Sequence, residues 1–275
     1  MLAMIQTTLA PAQLDRYAAD LRVARDERRP IAPLTDTLPD LTIADAYAIA
    51  QLGVDARLSA GACVTGHKIG LTAPAVQAQL GVSDPDYGTL LDMMEIVDGG
   101  EVDAGEFIAP RVELEIAFVL AEPLAGPGVS AEDVRRATGT IAPAIELVDS
   151  RISDWRIRLA DTVADAASSA AYVLGAPARP LGPDGIADVA DIAAELYRGG
   201  ELIEHGHSSA VLGDPCASVA WLANALGRFG GSLEAGDVIL SGACTRMVPV
   251  GPGDRFRGVL AGLGEVSVGF REDVR

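Results

Sequence analysis

The chain is 275 residues long, 49% of its residues are hydrophobic, and its formal net charge at pH 7 is −18. These values predict a folded protein with a substantial core and exclude the disordered class. The acidic charge argues against nucleic acid and anionic membrane surfaces as partners, because both are bound by positively charged faces. The three cysteines have no metal-ligand spacing and are odd in number, which favours a reducing compartment. With no signal-like N-terminus and no apolar run of membrane-spanning length, we expect a cytoplasmic protein.

The first sixty residues are predicted to be helical. Apolar residues recur at helical spacing from Leu14 to about Arg28, and prolines end the pattern soon afterwards. Thr42, with Asp45 three residues on, has the pattern of a capping pair at the start of a second amphipathic helix. We therefore predict a helical region over residues 1–62.

The region from residue 63 onward is predicted to be rich in strands. Glycine and proline separate short apolar runs, which is typical of strands joined by tight turns. This order indicates an α+β fold, with the N-terminal helical region followed by a β-rich catalytic domain over residues 63–275. The predicted strands are 63–69, 112–120, 141–148, 171–175, 238–241, 255–260 and 265–270, and the predicted helices are 131–138, 187–193 and 216–229.

Lys68 is the only lysine in the chain. A GC-rich genome explains why lysine is scarce, but it does not explain why the single lysine lies in the apolar, glycine-flanked segment 64–71. Burial would lower the pKa of this amine, and a nearby carboxylate would hold it up. Either environment suits a lysine to acid–base chemistry.

Residues 110–120 (PRVELEIAFVL) have the strict alternation of a β-strand. Apolar side chains occupy one face, so Glu113 and Glu115 fall together on the other. Adjacent carboxylates on an apolar strand repel each other and resist desolvation, and a hard divalent cation relieves both problems. Glu146 lies in a second apolar run, 141–148, where a free charge is equally unfavourable. The three glutamates favour a Mg²⁺ or Mn²⁺ site, and the alternative is an exposed edge strand with two solvated carboxylates.

Three further segments carry weaker signals. Asp86 and Tyr87 lie in a turn-like segment from which either side chain could project into a cleft, and an ordinary Asp-Pro turn is the alternative. Ser168 offers a hydroxyl among small residues that either admit a ligand or simply pack tightly. His205 and His207 resemble a metal pair, but we interpret them as surface residues in a polar turn. The sequence contains no serine-hydrolase elbow, phosphate loop or dinucleotide fingerprint.

Together these segments resemble the 2-hydroxypenta-2,4-dienoate (2-oxopent-4-enoate) hydratases of the fumarylacetoacetate hydrolase superfamily. The resemblance covers nearly the whole chain, and it depends on the order and spacing of several motifs rather than on any one of them. The motifs are GHKIGLT at 66–72, DPDYG at 84–88, PRVELE at 110–115, PAIE at 143–146, DSRISDW at 149–155, DTVAD at 161–165, VLG at 211–213, AWLA at 220–223 and GDRF at 253–256.

The resemblance implies a fumarylacetoacetase-like mixed β-sheet roll around a divalent metal, with a small, mainly helical N-terminal region and assembly into homo-oligomers. The family motif Asp-Asn-Ala-Ser corresponds to residues 165–168, where Ala166 replaces the usual asparagine and puts one side-chain hydrogen bond in doubt. The implied site consists of the metal ligands Glu113, Glu115 and Glu146, the catalytic residues Lys68, Asp86 and Ser168, and substrate contacts from Leu71, Tyr87, Arg111 and Thr245.

The activity implied by the resemblance is metal-dependent addition of water to 2-hydroxypenta-2,4-dienoate or a close homologue, giving a 4-hydroxy-2-oxo acid in the meta-cleavage degradation of aromatic compounds. A small 2-oxo acid substrate would chelate Mg²⁺ or Mn²⁺ through its carboxylate and C2 oxygen. One alternative is 4-oxalocrotonate decarboxylase, a relative with the same metal arrangement. The second alternative is a non-catalytic homologue that only binds an acid, which loss of Lys68 or of a glutamate would favour; the sequence retains all of them.

Overall fold

The computed structural model describes residues 7–73, 77, 84–176, 179–182 and 185–272. In this part of the chain, an N-terminal group of helices packs beside two mixed β-sheets, as expected for the predicted α+β class. None of the helices that the structure describes is both long and apolar enough to cross a membrane.

Three helices precede the first strand: α1 (Pro11–Glu27), α2 (Leu34–Thr37) and α3 (Ile43–Ser59). Thr42 caps α3 as predicted, because its Oγ1 accepts a hydrogen bond from the Asp45 main-chain N at 3.1 Å. Four of the ten buried residues in this helical core come from the range 152–164, so the N-terminal region shares its core with a later part of the chain. The ten are Leu14, Ala18, Leu21, Leu34, Ala46, Ile49, Ile152, Ala160, Val163 and Ala164.

The larger sheet has eight strands and carries the predicted site. The strands are β1 (Val64–Gly70), β2 (Asp86–Leu91), β3 (Glu95–Ile96), β5 (Arg111–Leu120), β6 (Thr138–Val148), β7 (Ser169–Leu174), β10 (Val238–Ala243) and β11 (Val248–Pro249). Their order is β2-β1-β10-β5-β6-β7-β3, and β11 pairs with the beginning of β5. The two long strands β5 and β6 therefore lie near the centre of the sheet, side by side and antiparallel.

The smaller sheet contains β4 (Glu101–Val102), β8 (Ala193–Arg198), β9 (Glu201–His207), β12 (Arg255–Leu260) and β13 (Gly264–Phe270), in the order β4-β13-β12-β8-β9. The apolar face of β5, with Leu114 and Ile116, packs into a core that also contains Phe256 and Val268 of this smaller sheet. Three α-helices occur later in the described part of the chain: α4 (Ala131–Ala137), α5 (Leu159–Ala164) and α6 (Pro215–Gly227).

All seven predicted strands are confirmed, with ends that agree to within three residues, and so are the helices at 131–138 and 216–229. The helix predicted over 187–193 is wrong. Its place is taken by turns and the first residue of β8, because the Asp188 carboxylate accepts a hydrogen bond from Ala190 N and so competes with a helix. Six of the described strands were not predicted: β2, β3, β4, β8, β9 and β11. As a result, Asp86 begins β2 instead of lying in a turn, and His205 and His207 belong to β9 instead of a polar turn.

Candidate active site

The three glutamates predicted as metal ligands lie together on neighbouring strands of the larger sheet. Glu113 of β5 is directly opposite Glu146 of β6 in the antiparallel register, and Glu115 is two residues further along β5. Because strand side chains alternate between the two faces, all three carboxylates project from the same face. Each offers one oxygen within 4.8 Å of the others. Strand pairing therefore brings Glu146, 31 positions beyond Glu115 in the sequence, into the same cluster.

Burial and mutual repulsion make these carboxylates difficult to ionise. Glu115 and Glu146 are 0% and 1% exposed. Burial raises the pKa of all three glutamates; nearby carboxylates raise that of Glu115 further, and the pKa of Glu146 rises to about 7. Glu115 accepts one hydrogen bond, from Gly242 N at 2.8 Å, whereas its Oε1 and the Oε2 of Glu146 have no hydrogen-bond partner among the described residues. Unpartnered, closely spaced carboxylate oxygens fit a hard divalent cation.

Lys68 lies beside this cluster on β1 and is 3% exposed. Its Nζ is 3.1 Å from Glu146 Oε1 and donates a hydrogen bond to the main-chain oxygen of Ala167 at 2.9 Å. Burial by itself would lower the pKa of this amine, but the negative charges of Glu146, Asp86 and the other glutamates outweigh burial and raise the pKa above its ordinary value. Lys68 is therefore a buried ammonium at neutral pH, and it can donate a proton.

Asp86, at the start of β2, lies next to Lys68. Its partner in the strand register is Gly70, and a Cβ at Gly70 would lie 2.3 Å from Asp86 Oδ1 and 3.5 Å from Lys68 Nζ. Only glycine leaves room for the Asp86 carboxylate there. Thr162 donates a hydrogen bond from Oγ1 to Asp86 Oδ2 at 3.2 Å, while Oδ1 has no hydrogen-bond partner among the described residues. Burial raises the pKa of Asp86, although Lys68 and Thr162 act in the opposite direction.

Replacing Thr162 by valine removes this hydrogen bond while keeping the shape of the side chain. Because the hydrogen bond favours the ionised carboxylate, the Thr162→Val enzyme is expected to need a higher pH to ionise Asp86. The acidic limb of the kcat/KM profile should move to higher pH, and the loss of stability should be about 1 kcal/mol. A pH profile measured beside a urea melt checks both effects; a pH profile identical to the wild-type profile would exclude Thr162 from tuning the carboxylate.

Ser168 lies in an unusual turn against Lys68. Ala166, Ala167 and Ser168 have φ values of 51°, 52° and 55°, in the left-handed region that residues with side chains seldom adopt. The turn directs the Ala167 main-chain oxygen to Lys68, and it buries Ser168 Oγ with no hydrogen-bond partner among the described residues. The three strained residues therefore form the turn whose carbonyl orients Lys68.

Arg151 holds this turn in place from the side. Its guanidinium forms a buried ion pair with the Asp165 carboxylate and donates hydrogen bonds to the main-chain oxygens of Asp149, Asp165 and Ser169. A guanidinium that bridges both ends of the turn can compensate for the strained φ angles between them. Arg151 therefore supports the Ala167 carbonyl and, through it, Lys68.

Arg111 is the expected substrate contact that lies along the same strand as the glutamates. It begins β5 two residues before Glu113, so the two side chains share a face, and the Glu113 charge acts on the guanidinium. The guanidinium carbon lies 4.3 Å from the centre of the Trp155 ring, and Trp155 Nε1 donates to the Ala109 main-chain oxygen at 3.1 Å. A cation held in place by an aromatic ring thus flanks the carboxylate cluster.

The Tyr87 ring, in contrast, is not brought to the glutamates. Tyr87 follows Asp86 on β2, so its side chain projects from the opposite face. The ring stacks on Tyr47 at 4.5 Å and makes edge contacts with His67 and Trp221. The structure therefore places Tyr87 in an aromatic cluster on the face of β2 opposite to Asp86.

Leu71 and Thr245, the other two expected substrate contacts, both lie just beyond the ends of strands. Leu71 directly follows β1 with a φ of 57°, and its main-chain oxygen accepts a hydrogen bond from Gln77 Nε2 at 2.8 Å. Thr245 lies two residues after Ala243, the register partner of Glu115. Its side chain is 8% exposed, and Oγ1 has no hydrogen-bond partner among the described residues. Thr245 thus offers a free hydroxyl at this end of β10.

Several groups at the site were not found by sequence reasoning. The Gly242 N–H and the Ala167 carbonyl are main-chain groups, which no residue type reveals. Thr162 and Trp155 lie inside the motifs DTVAD and DSRISDW, but nothing in those motifs tells that one side chain binds Asp86 and the other stacks on an arginine. Such roles follow only from the positions of the elements in space.

Comparison with known proteins shows the family to which the chain belongs. Residues 95–271 match the family model described as fumarylacetoacetate (FAA) hydrolase, C-terminal. This chain belongs to the fumarylacetoacetate hydrolase family. It is 43% identical over 265 residues to 2-keto-4-pentenoate hydratase from Paraburkholderia xenovorans (strain LB400), with 96% of this chain and 97% of that protein covered. It is also 46% identical over 246 residues to 2-hydroxyhexa-2,4-dienoate hydratase from Comamonas testosteroni, covering 89% and 92%.

A solved structure of the same family extends this similarity to the fold. The structure is 4-oxalocrotonate decarboxylase from Pseudomonas putida G7, complexed with magnesium and adipate. It matches with a TM-score of 0.93 at 36% identity, and 96% of this chain and all of that chain are covered. The predicted family and the predicted fold class, including the helical N-terminal region, are confirmed.

Proposed function

We propose that this member of the family is a hydro-lyase that adds water to 2-hydroxypenta-2,4-dienoate, or to a close homologue, giving a 4-hydroxy-2-oxo acid in the meta-cleavage degradation of aromatic compounds. The observation that carries the proposal is the cluster of Glu113, Glu115 and Glu146, two of them fully buried, with Lys68 in contact with Glu146 and Asp86 beside Lys68. Full-length similarity to enzymes named as hydratases supports water addition as the reaction.

The three glutamates would hold a divalent cation, and we propose Mg²⁺ or Mn²⁺ because only oxygen ligands are offered. The unpartnered buried oxygens of Glu115 and Glu146 fit this role, and the decarboxylase relative binds magnesium. When bound, such a cation acts as a Lewis acid toward the carboxylate and C2 oxygen of a 2-oxo acid.

Lys68 and Asp86 would move the protons. Transfer of the enol proton of the 2-hydroxydienoate to C5 gives a conjugated 2-oxo-3-enoate. The oxygen of water then bonds to C4, and C3 gains a proton, which completes the addition. The raised pKa keeps Lys68 protonated, so the ammonium would be the group that holds a proton for C3, and the Asp86 carboxylate would accept the proton of water. Acid–base assistance of this kind contributes about 10²–10⁴-fold. Ser168 Oγ, buried and without a partner among the described residues, would hydrogen-bond the substrate.

Arg111 would bind the substrate carboxylate, and Trp155 would keep Arg111 in position. Replacing Trp155 by leucine removes the aromatic face, so KM is expected to rise by roughly 3- to 30-fold, the equivalent of one cation–π contact, while kcat changes little. Replacing it by phenylalanine keeps a ring beneath the guanidinium and should have a smaller effect. Steady-state kinetics of both variants check this, and equal KM values for the two would show that the ring does not position Arg111.

The test of the proposed function is a direct assay of the purified, Mg²⁺-loaded protein. It should convert 2-hydroxypenta-2,4-dienoate to the 4-hydroxy-2-oxo acid, followed by loss of dienoate absorbance and by mass spectrometry of the product. The second candidate is decarboxylation, which the structural similarity to 4-oxalocrotonate decarboxylase favours. Release of CO₂ from a 2-oxohexenedioate, with no hydration of the dienoate, would reverse the assignment. Failure with both substrates, with or without metal, would remove the enzyme proposals and leave acid binding alone.

We further propose that the enzyme acts in the cytoplasm as a homo-oligomer. The three cysteines are unpaired, as in a reducing compartment, and the apolar side chains of Met93 and Val97 are 67% and 81% exposed in the single chain. Contact between subunits would cover these side chains. Light scattering after size-exclusion chromatography measures the subunit number, and a monomer at assay concentration would contradict an oligomer.

A further inference from the structure

A second concave region lies between the N-terminal helices and the turn at 165–168. Two adjoining cavities, with volumes of about 60 and 240 Å³, share Arg25, Arg57 and Arg151 in their walls. Ala166, where the family has asparagine, lines the smaller one. None of the three glutamates of the candidate active site lines either cavity. We name this region the arginine cavity.

The arginine cavity gathers positive charge in a chain whose net charge is −18. Arg151 is paired with Asp165, and Arg25 with the exposed carboxylate of Asp26. The half-buried guanidinium of Arg57 has neither a hydrogen bond nor an ion pair with any residue that the structure describes. Burial and the charges of Arg25 and Arg151 lower the pKa of Arg57 to about 10. Such convergence of like charges is unfavourable unless an anion offsets it.

Acidic groups in the walls leave Arg57 without an ion-pair partner among the described residues, because the buried wall carboxylate of Asp165 is already paired with Arg151. The Asp149 carboxylate accepts hydrogen bonds from the main-chain N–H groups of Ile108 and Ala109, at 2.9 and 2.7 Å, and Glu106 is exposed. The ends of α1 and α3 explain part of the arrangement, because Arg25 and Arg57 lie in last turns, where the helix dipole favours cations. The dipole does not explain why both residues line the same cavities as Arg151.

We propose that the arginine cavity binds a small oxyanion, of the class of inorganic phosphate or a short dicarboxylate, at a site separate from the carboxylate cluster. Guanidinium groups bind such anions through paired N–H donors, and Arg57, whose side chain has no partner among the described residues, would supply them. Arg25 and Arg151 donate to other groups and would contribute mainly their positive charge. Arg151 also holds the turn that orients Lys68. An anion bound here would therefore influence the position of Lys68 through that turn.

The experiment is isothermal titration of the Mg²⁺-loaded full chain with inorganic phosphate and, separately, with malonate, at constant ionic strength. Saturable binding of either anion is expected in the wild type, and the Arg57→Gln variant should bind at least tenfold more weakly. The matched control is Arg29→Gln, because Arg29 is 81% exposed and lies outside the cavity; its affinity should stay within twofold. Binding of phosphate alone or of malonate alone supports the site and tells which oxyanion it takes. No saturable binding, or equal affinities for the two variants, overturns it.

Two further variants keep the proposal testable. If circular dichroism shows that Arg57→Gln does not fold, Arg57→Lys keeps the charge without the planar fork; it should bind several-fold more weakly, and wild-type affinity would overturn the proposal. The Glu115→Gln variant, altered in the carboxylate cluster, should bind phosphate as the wild type does, and parallel loss would place the anion in the active site instead. Because the readout is binding, failure of this site is distinguishable from failure of the proposed hydratase activity.

Discussion

Replacement of Lys68 by methionine is expected to lower kcat by about 10²–10⁴-fold, the usual contribution of a positioned acid or base. Methionine fills the volume of the buried stem but cannot donate the proton held by Nζ, 3.1 Å from Glu146. Metal affinity should not fall, because the variant removes a positive charge from beside the carboxylates. Steady-state kinetics and Mg²⁺ titration of the same preparation measure both quantities.

The control for this result is Lys68→Arg. Arginine keeps the positive charge that compensates the carboxylates, but its guanidinium is not deprotonated in proteins and cannot complete a proton transfer. If the ammonium acts as a proton donor, both variants should be slow; if it acts only as a counter-charge, Lys68→Arg should retain most of the turnover. A kcat close to that of the wild type in Lys68→Met would remove Lys68 from the chemistry altogether.

Replacement of Glu115 by glutamine is expected to weaken Mg²⁺ binding at least tenfold and to lower kcat/KM by a similar or larger factor. The substitution removes one anionic ligand, while the glutamine carbonyl can still accept the hydrogen bond from Gly242. A tenfold loss of affinity corresponds to about 1.4 kcal/mol. The matched control is Glu122→Gln, since Glu122 is exposed just beyond β5 and should affect neither quantity.

The same variant should change stability in opposite directions with and without metal. Burial and the charges of Glu146 and Glu113 raise the pKa of Glu115, so its ionised form opposes folding, and metal-free wild type should lose stability as pH rises through that raised pKa. At pH 8 in EDTA, Glu115→Gln should therefore melt a few degrees above the wild type. Saturating Mg²⁺ should reverse the order. A metal-free variant that melts below the wild type would show that these carboxylates do not repel each other.

These opposing effects are expected of a site whose carboxylates destabilise the metal-free fold and stabilise the fold when a cation is bound. Three carboxylates, a lysine and an aspartate share a buried region in which several oxygens have no hydrogen-bond partner among the described residues. The strained turn at 165–168 and the space left by Gly70 are further features that packing alone does not require. Their common consequence is to keep charged groups close together and to orient them before any ligand binds.

Local patterns in the sequence determined the elements that carry the site. Strict alternation placed Glu113 and Glu115 on one face of β5, because the side-chain period of a strand is fixed by its backbone. The isolated lysine in an apolar segment and the capping pair at Thr42 were equally readable. Where side chains form hydrogen bonds locally, as around Asp188, the pattern failed and a helix was predicted where turns occur.

Only the tertiary structure decided which groups meet. The register of β5 with β6 sets Glu146 opposite Glu113, and the pairing of β1 with β2 brings Asp86 beside Lys68 while turning the Tyr87 ring to the other side. The arginine cavity likewise brings Arg25 and Arg57, on two helices, together with Arg151 of a distant loop. The spacing of residues along the chain determines which side chains share a face of one helix or strand, because neighbouring residues there have the same backbone geometry. The distances between elements depend instead on strand order, register and packing over the whole molecule.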